Sequence, residues 1–419
     1  MKRIGAGGFG VGILPEGKVV FIPRTAPGDK ARIQVVKEKA RWARGEVVEL
    51  LHEGPGRREA PCPMYASCDG CSLQHLEYGE QLRWKSHLVG DTLRRLGKVE
   101  IDDPEVVPSP RELHYRNRVS YTLRRLTGGR LVAGFRELGH RGRVLDLRGQ
   151  CLLPEDPLPA AWERIRQEWG PRGARLPRGR QLRLTLQKGV DGVGLMVRGG
   201  EGRGEPEVLL DRVEELVSVW HRKKGEDPLL LAGEPVMRVS WGQEVIDLEG
   251  GAFVQVNAGI GTGLYEYVLR EIGDPVGRTI IDAYCGPAIL GRSLSRKGGE
   301  VTGIDAVHGG APGGDPADPR GFRYVVGRVE KELKRLLPAD LVLLNPPRSG
   351  LHSSIPATLL AKPPRTVVYV SCDPATLARD LKRLESGYRV TRLRAYDLFP
   401  QTGHVETVVT LKGITEDRQ

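Results

Sequence analysis

The sequence predicts a multidomain α+β protein ending in a doubly wound α/β domain, and three observations carry that prediction. The chain has 419 residues, room for two or three domains at roughly 150 residues each. Its first part consists of short β-patterned runs broken by Gly/Pro turns. From about residue 252, apolar strand-like runs alternate with helical segments, the pattern of a parallel sheet with crossover helices.

In chain order, KVVFIP, the turn APGDK and the alternating stretch from Ala31 to Leu51 predict a small OB-like β-barrel over residues 1–55, a shape suited to oligonucleotides. The Gly/Pro/Arg-rich segment 54–63 reads as a linker. Apolar residues at helical spacing predict a helix over 72–97, closed by Gly97. The runs RNRVSYTLRRL, LVAGFRE, RLTLQKG and VGLMVRG predict strands of a β-rich central domain, 56–250. In the expected domain at 251–419, the runs TIIDAY, EVTGIDA, LVLLNPP and VVYVSCDP end in Asp282, Asp305, Asn345 and Cys372. Ligands of open α/β sheets sit at such carboxyl ends. AILGRSLSRKG and TLARDLKRL are the intervening helices.

Charge is uneven. Of the net +11, residues 1–150 carry +9, from 27 basic and 18 acidic side chains. The basic residues are 48 Arg and 16 Lys, and Arg is the side chain that forks onto phosphate. A polyanionic partner, nucleic acid above all, follows. No run of about 18 uncharged apolar residues is present and MKRIGAGGFG lacks a signal-peptide core, so a cytoplasmic protein with no membrane contact is expected.

The six cysteines of a cytoplasmic chain point to metal binding or catalysis rather than disulfides. Residues 62–71 read CPMYASCDGC, a C-x5-C-x2-C run, and Cys151 is the fourth sulfur outside the α/β region. Four thiolates suit an iron-sulfur cluster or zinc, with His75 keeping zinc open. IIDAYCGPA gives a strand, tight turn and helix over which a nucleotide-like ligand fits, with Asp305 placed to accept from ribose. Asn345-Pro346-Pro347-Arg348 is a rigid turn able to hold an amide against a flat heterocycle. Cys372 lies beside the helix that begins near Pro374, which predicts a lowered thiol pKa and a nucleophile. Glu406, in HVETVVTLKG, opens another strand.

Taken together these segments resemble the RNA uracil-5-methyltransferase family, in its branch with an N-terminal TRAM domain and a [4Fe-4S] cluster. The resemblance runs through residues 1–50, the cysteine run with Cys151, FVQVN at 253–257, DAYCG at 282–286, NPPRSGL at 345–351, SCDPATLARDL at 371–381 and HVET at 404–407. It implies a Rossmann-like S-adenosylmethionine domain and a monomer that methylates uracil C5 in RNA, 23S rRNA first and tRNA second. Cys372 becomes the nucleophile and Glu406 the base. Gln255, Tyr284, Gly286, Asp305 and Asn345 take the cofactor and active-site positions, and Cys62, Cys68, Cys71 and Cys151 the cluster. The chain departs from the family pattern at Asn345 in place of Asp, at Gly286-Pro287-Ala288, at Asp305 in place of Glu, and in the Gly/Pro-rich stretch 306–321. An RNA m5C methyltransferase is the nearest rival, motivated by Asn345. A base amino-methyltransferase and a TRAM-containing radical methylthiotransferase fit less well, and a non-catalytic RNA-binding protein is the remaining alternative.

Overall fold

A computed structural model describes residues 1–419 apart from 141, 243, 250, 251, 253, 307–320 and 415–419. The N-terminal unit is a five-stranded sheet of β1 (Arg3–Ile4), β2 (Phe9–Ile13), β3 (Val19–Pro23), β4 (Lys30–Glu38) and β5 (Trp42–His52), ordered β1-β2-β3-β5-β4. Its end strands β1 and β4 are not paired with each other, so the expected barrel is a partly open one. Inward Val20, Ile22 and Ala43 are fully buried, as period-2 alternation requires.

Helix α1 (Tyr78–Thr92) runs on through a π-turn to Gly97, where the sequence predicted the stop. A Cβ at Gly97 would stand 3.3 Å from the backbone of Ala378, so a side chain there would press α8 away by a few tenths of an ångström. Strand β6 (Val106–Val107) follows.

The central unit is built on β7 (Arg118–Arg125), β8 (Leu131–Arg136), β9 (Val144–Asp146), α2 (Leu158–Glu168), β10 (Gln181–Lys188), β11 (Val193–Arg198), α3 (Pro206–Arg212), β12 (Leu216–Arg222) and β13 (Leu229–Gly233). Its seven strands order as β13-β12-β11-β10-β7-β8-β9. One face is apolar: Tyr121, Leu123, Leu184 and Leu195 pack on Leu158 and Trp162 of α2 and Leu209 of α3. The other face carries Arg118, Ser120, Arg183, Thr185, Arg198 and Arg222. Burying one face only produces this alternation. A hairpin of β14 (Val236–Trp241) and β15 (Glu244–Glu249) comes next.

The C-terminal unit comprises α4 (Ala258–Ile272), β16 (Thr279–Ala283), α5 (Ile289–Arg296), β17 (Glu300–Asp305), β18 (Arg323–Val326), α6 (Val329–Leu336), β19 (Leu341–Leu344), α7 (Ser354–Ala361), β20 (Thr366–Ser371), α8 (Pro374–Leu384), β21 (Tyr388–Tyr396) and β22 (Glu406–Gly413). The strand order is β18-β17-β16-β19-β20-β22-β21-β6. The first five strands are parallel; β22 inserts antiparallel between β20 and β21. LVLL in β19 and TVVYVS in β20 are buried throughout because helices cover both faces. The order reverses between β16 and β19, and a switch point of this kind opens a crevice at the strand ends.

Residues 78–107 complete this last sheet. Val106 pairs parallel with Ala395, while Val89 and Leu93 enter the same core as Leu377 and Leu381 of α8. Lys85 and Asp397, both fully buried, form an ion pair at 2.5 Å, and Lys85 also donates to the Phe399 carbonyl. Among the described residues no helix is long and apolar enough to cross a membrane.

Candidate active site

A cleft of about 1680 Å³ opens at the carboxyl ends of β16, β17, β19 and β20 and extends over the polar face of the central sheet. Gln255, Tyr284, Gly286, Asp305, Asn345, Cys372 and Glu406, each expected at the site, all line it. Of the neighbouring motif positions, Phe253 and 307–320 lie outside the described residues.

The turn after β16 is conformationally special. Tyr284, Gly286 and Ala288 have φ of 62°, 55° and 56°. Non-glycine residues in that region cost on the order of 1–3 kcal/mol and persist where surrounding structure imposes them. The Gly286 N–H donates to Asp305 Oδ2 at 2.9 Å, and the Gly286 carbonyl accepts from Tyr324 Oη at 2.9 Å. Nothing lies within 4 Å of a Cβ built at Gly286, so any side chain there would project into the open cleft. Behind the turn Asp282 accepts from the Gly291 N–H at 3.0 Å; burial, with Asp305 adding, pushes its carboxyl up to about 7. Gln255 is buried, and its carbonyl accepts from Asn117 Nδ2 at 3.0 Å, tying the cleft to the start of β7. The Asn345 N–H donates to the Ala283 carbonyl at 3.2 Å, which locks the Asn-Pro-Pro turn to the end of β16.

Sheet register brings the next two residues together. Ser371 pairs with Thr407, the Thr407 hydroxyl donating to the Ser371 carbonyl at 3.0 Å. One step further along antiparallel strands sets Cys372 across from Glu406. Asp373 then caps α8, its Oδ1 accepting from the N–H groups of Ala375 and Thr376 at 2.9 and 3.0 Å, with Pro374 in the first turn.

The expected lowering of the Cys372 pKa is not found. Burial, then the Glu406 charge, pushes the thiol up to about 11, and Arg348 pulls it back. Desolvation and a neighbouring carboxylate outweigh the helix N-terminus. Burial likewise pushes Glu406 up to about 8, against the pull of Arg348. Arg348 thus acts on both groups, and its guanidinium lies 3.3 Å from His404 Nε2. Arg348 and His404 sit inside the motifs NPPRSGL and HVET, yet only the fold brings their side chains together beside Cys372 and Glu406.

The cysteine expectation has a mixed outcome. Cys62, Cys68, Cys71 and Cys151 are free and partly buried. Burial raises Cys68, pushes Cys71 up to about 11 and Cys151 up to about 12, and in each case the other cysteines add to the rise. Electrically, then, the four thiols face one another across the 62–71 loop and residue 151. The Gly70 N–H points at Cys68 Sγ at 3.4 Å. Among the described residues, however, no three His, Cys, Asp or Glu side chains come together closely enough to hold a metal ion, so a metal-binding group is not shown. His75 Nδ1 is engaged with Tyr65 Oη at 2.7 Å, while its Nε2 is buried with no hydrogen-bond partner.

Known proteins bear on the same regions. The family model for tRNA (uracil-5-)-methyltransferase matches residues 327–414, and the model for the TRAM domain matches residues 2–48. An RNA methyltransferase of Gloeobacter violaceus is 33% identical, covering 98% of this chain and 95% of the relative. One from Halalkalibacterium halodurans is 30% identical over 95% and 93%. Among solved structures, Pyrococcus abyssi tRNA (uracil-54, C5)-methyltransferase, in complex with S-adenosyl-L-homocysteine, is similar with a TM-score of 0.70 and 25% identity, covering 96% of this chain and 99% of that one. Similarity along nearly the whole of both chains, with the family model lying on the strands that bear Cys372 and Glu406, places this chain in the RNA uracil-5-methyltransferase family.

Proposed function

We propose that the cleft methylates C5 of uracil in RNA by covalent catalysis, with Cys372 as nucleophile, Glu406 as base and S-adenosylmethionine as methyl donor. The observation that carries this is the pairing of a thiol with a carboxyl across β20 and β22, both under the influence of Arg348, at the mouth of a methyltransferase sheet.

C5 of uracil is a poor nucleophile. Addition of the Cys372 thiolate to C6 moves electron density onto C5 and O4 as an enolate. Bound S-adenosylmethionine supplies an electrophilic methyl group, for which the vacant space over Gly286, the twisted Tyr284 turn, Gln255 and the Asp305 carboxylate form a fitting cradle. Once C5 carries the methyl, Glu406 takes the C5 proton and the Cys372–C6 bond breaks with its electron pair going to sulfur, restoring the uracil C5–C6 double bond and releasing the Cys372 thiolate. Arg348 stabilises the anionic form of each group in turn. Asn345 offers an amide oxygen to uracil N3–H. A base must leave its stack to reach this pocket, which assigns RNA gripping to the TRAM and central units.

The four cysteines fit an iron-sulfur cluster better than a single ion. Four thiolates are the ligand set of a [4Fe-4S] cube, each holding a different iron; zinc would need its sulfurs gathered at about 2.3 Å around one centre, and no such grouping is found among the described residues. Such a cluster would tie the 62–71 loop to residue 151 as a structural cross-link. For the target, TRAM plus cysteines supports 23S rRNA, in a cytoplasmic monomer. Likeness to the Pyrococcus abyssi enzyme favours tRNA as a second reading.

Labelled methyl transfer to rRNA and to tRNA, with nucleoside analysis, tests all of this. 5-Methyluridine lost in Cys372→Ala supports the mechanism. 5-Methylcytidine would overturn the base assignment, and full activity in Cys372→Ala would overturn the nucleophile.

A further inference from the structure

The polar face of the central sheet lines the same cleft as Cys372, and its charges are arranged in a row. Arg183 of β10 pairs in register with Arg198 of β11, and Arg198 with Arg222 of β12. Residues in register on neighbouring strands project from the same face. Three guanidinium side chains therefore stand side by side across three strands, a track roughly 10 Å long at the usual strand spacing. Arg118 lies on the same face and donates to the Ala252 carbonyl at 3.0 Å.

Like charges directly opposite each other destabilise a sheet, and Arg222 Nε donates to the Glu226 carbonyl at 3.0 Å, a neutral acceptor. Burial and then the Arg222 and Arg183 charges lower the pKa of Arg198, and burial and then Arg198 and Arg183 lower that of Arg118. Asp227 and Glu249 also line the cleft, but neither figures among these influences. Arg198 Nε is buried with no hydrogen-bond partner. Partly buried Trp220 and the Ser120–Thr185 hydroxyl pair, 2.8 Å apart, lie alongside. Repulsion of this kind is relieved when an external anion with repeated charges is laid across it.

We propose that Arg183, Arg198 and Arg222 form a track for consecutive phosphates of single-stranded RNA, holding the strand beside the target uridine while Trp220 offers a flat surface to a flanking base. The proposal rests on the reading of the cleft as an RNA site and adds which surface grips the strand. Arg is suited to it because its fork bonds two phosphate oxygens at once, and base–aromatic stacking tolerates any sequence.

The test is binding of the full-length protein to a fluorescein-labelled 15-nucleotide RNA with one uridine among adenosines, followed by anisotropy from 0.05 to 0.4 M KCl. Each phosphate contact to a single strand contributes about 0.7 to the slope of log K against log salt. The double variant Arg183→Gln/Arg222→Gln is expected to flatten the slope by about 1.4. At 0.15 M salt that corresponds to binding about 14-fold weaker. Arg335→Gln, on the exposed side of α6, removes a positive charge elsewhere and is expected to leave the slope unchanged. Thermal melting confirms that each variant is folded. An unchanged slope in the folded double variant, or an equal loss in Arg335→Gln, overturns the track. Binding needs no methyl transfer, so a row-dependent slope in a protein that leaves uridine unmethylated would count for the track and against the proposed reaction.

Discussion

Glu406→Gln should stabilise the protein while disabling it, and the size of the gain follows from burial. Glu406 is 3% exposed, and its carboxyl titrates near 8 in the fold against 4.5 for the unperturbed group. At 1.36 kcal/mol per unit, holding the anion in the folded chain costs about 5 kcal/mol once fully ionised. A raised folded pKa means that the group costs nothing below about 4.5, that the cost grows as pH rises, and that it levels off above about 8. At pH 7 it amounts to about 3 kcal/mol, and at pH 5 to less than about 1 kcal/mol. Glutamine has the same shape and no charge to ionise. The variant should therefore melt roughly 6–12 °C above wild type at pH 7 in the transition of the C-terminal sheet, and nearly with it at pH 5. Calorimetry of both proteins from pH 5 to 8.5 makes the measurement. The same variant, unable to remove the C5 proton, should accumulate a Cys372–RNA adduct that survives denaturing gels. A melting difference independent of pH would refute the argument, because it would mean that Glu406 is not being desolvated.

Other outcomes follow from the same geometry. Arg348→Gln removes the cation that favours both the thiolate and the carboxylate, so turnover at pH 7.5 should fall about tenfold or more and recover as pH rises; a pH-independent loss would point instead to lost substrate contact. Asp305→Asn should weaken S-adenosylhomocysteine binding at least about tenfold in calorimetry while leaving RNA affinity intact, since Asp305 serves the Gly286 turn and the cofactor cleft. Anaerobically purified protein should contain iron and sulfide and absorb visible light, losing both in Cys71→Ser; a colourless protein containing zinc would remove the cluster from the account.

Much of the site was legible because its chemistry sits at strand ends, and strand ends are marked by abrupt changes from apolar runs to Asp, Asn-Pro-Pro or Cys-Asp-Pro. Period and turn chemistry located β16, β17, β19 and β20 and the helix that starts at Pro374. What the residues could not disclose depends on long-range register. That Glu406 meets Cys372 follows from β22 inserting antiparallel beside β20, a topological fact with no local signature. The direction of the Cys372 shift is hidden for the same reason: the helix end is local, whereas the desolvating walls and Glu406 are not. The arginine row was equally hidden, since Arg183, Arg198 and Arg222 become neighbours only through one antiparallel and one parallel pairing.

The strand β6 and the helix α1 set an order on biosynthesis. Both leave the ribosome early, yet the surfaces they close, the edge at Ala395 and the flank of α8, lie almost 300 residues downstream; Glu105 and its ion-pair partner Arg394 are 289 apart in sequence. At 5–20 residues per second the segment waits roughly 15–60 s with its apolar side and Lys85 unpartnered. The TRAM sheet and the central sheet, whose pairings lie closer together in sequence, have that interval in which to fold. The last strands to emerge then capture the waiting segment, and with it the loop from Asp397 to His404. The Cys372–Glu406 pairing is therefore a product of complete synthesis: a truncated or stalled chain holds the TRAM and central sheets without it.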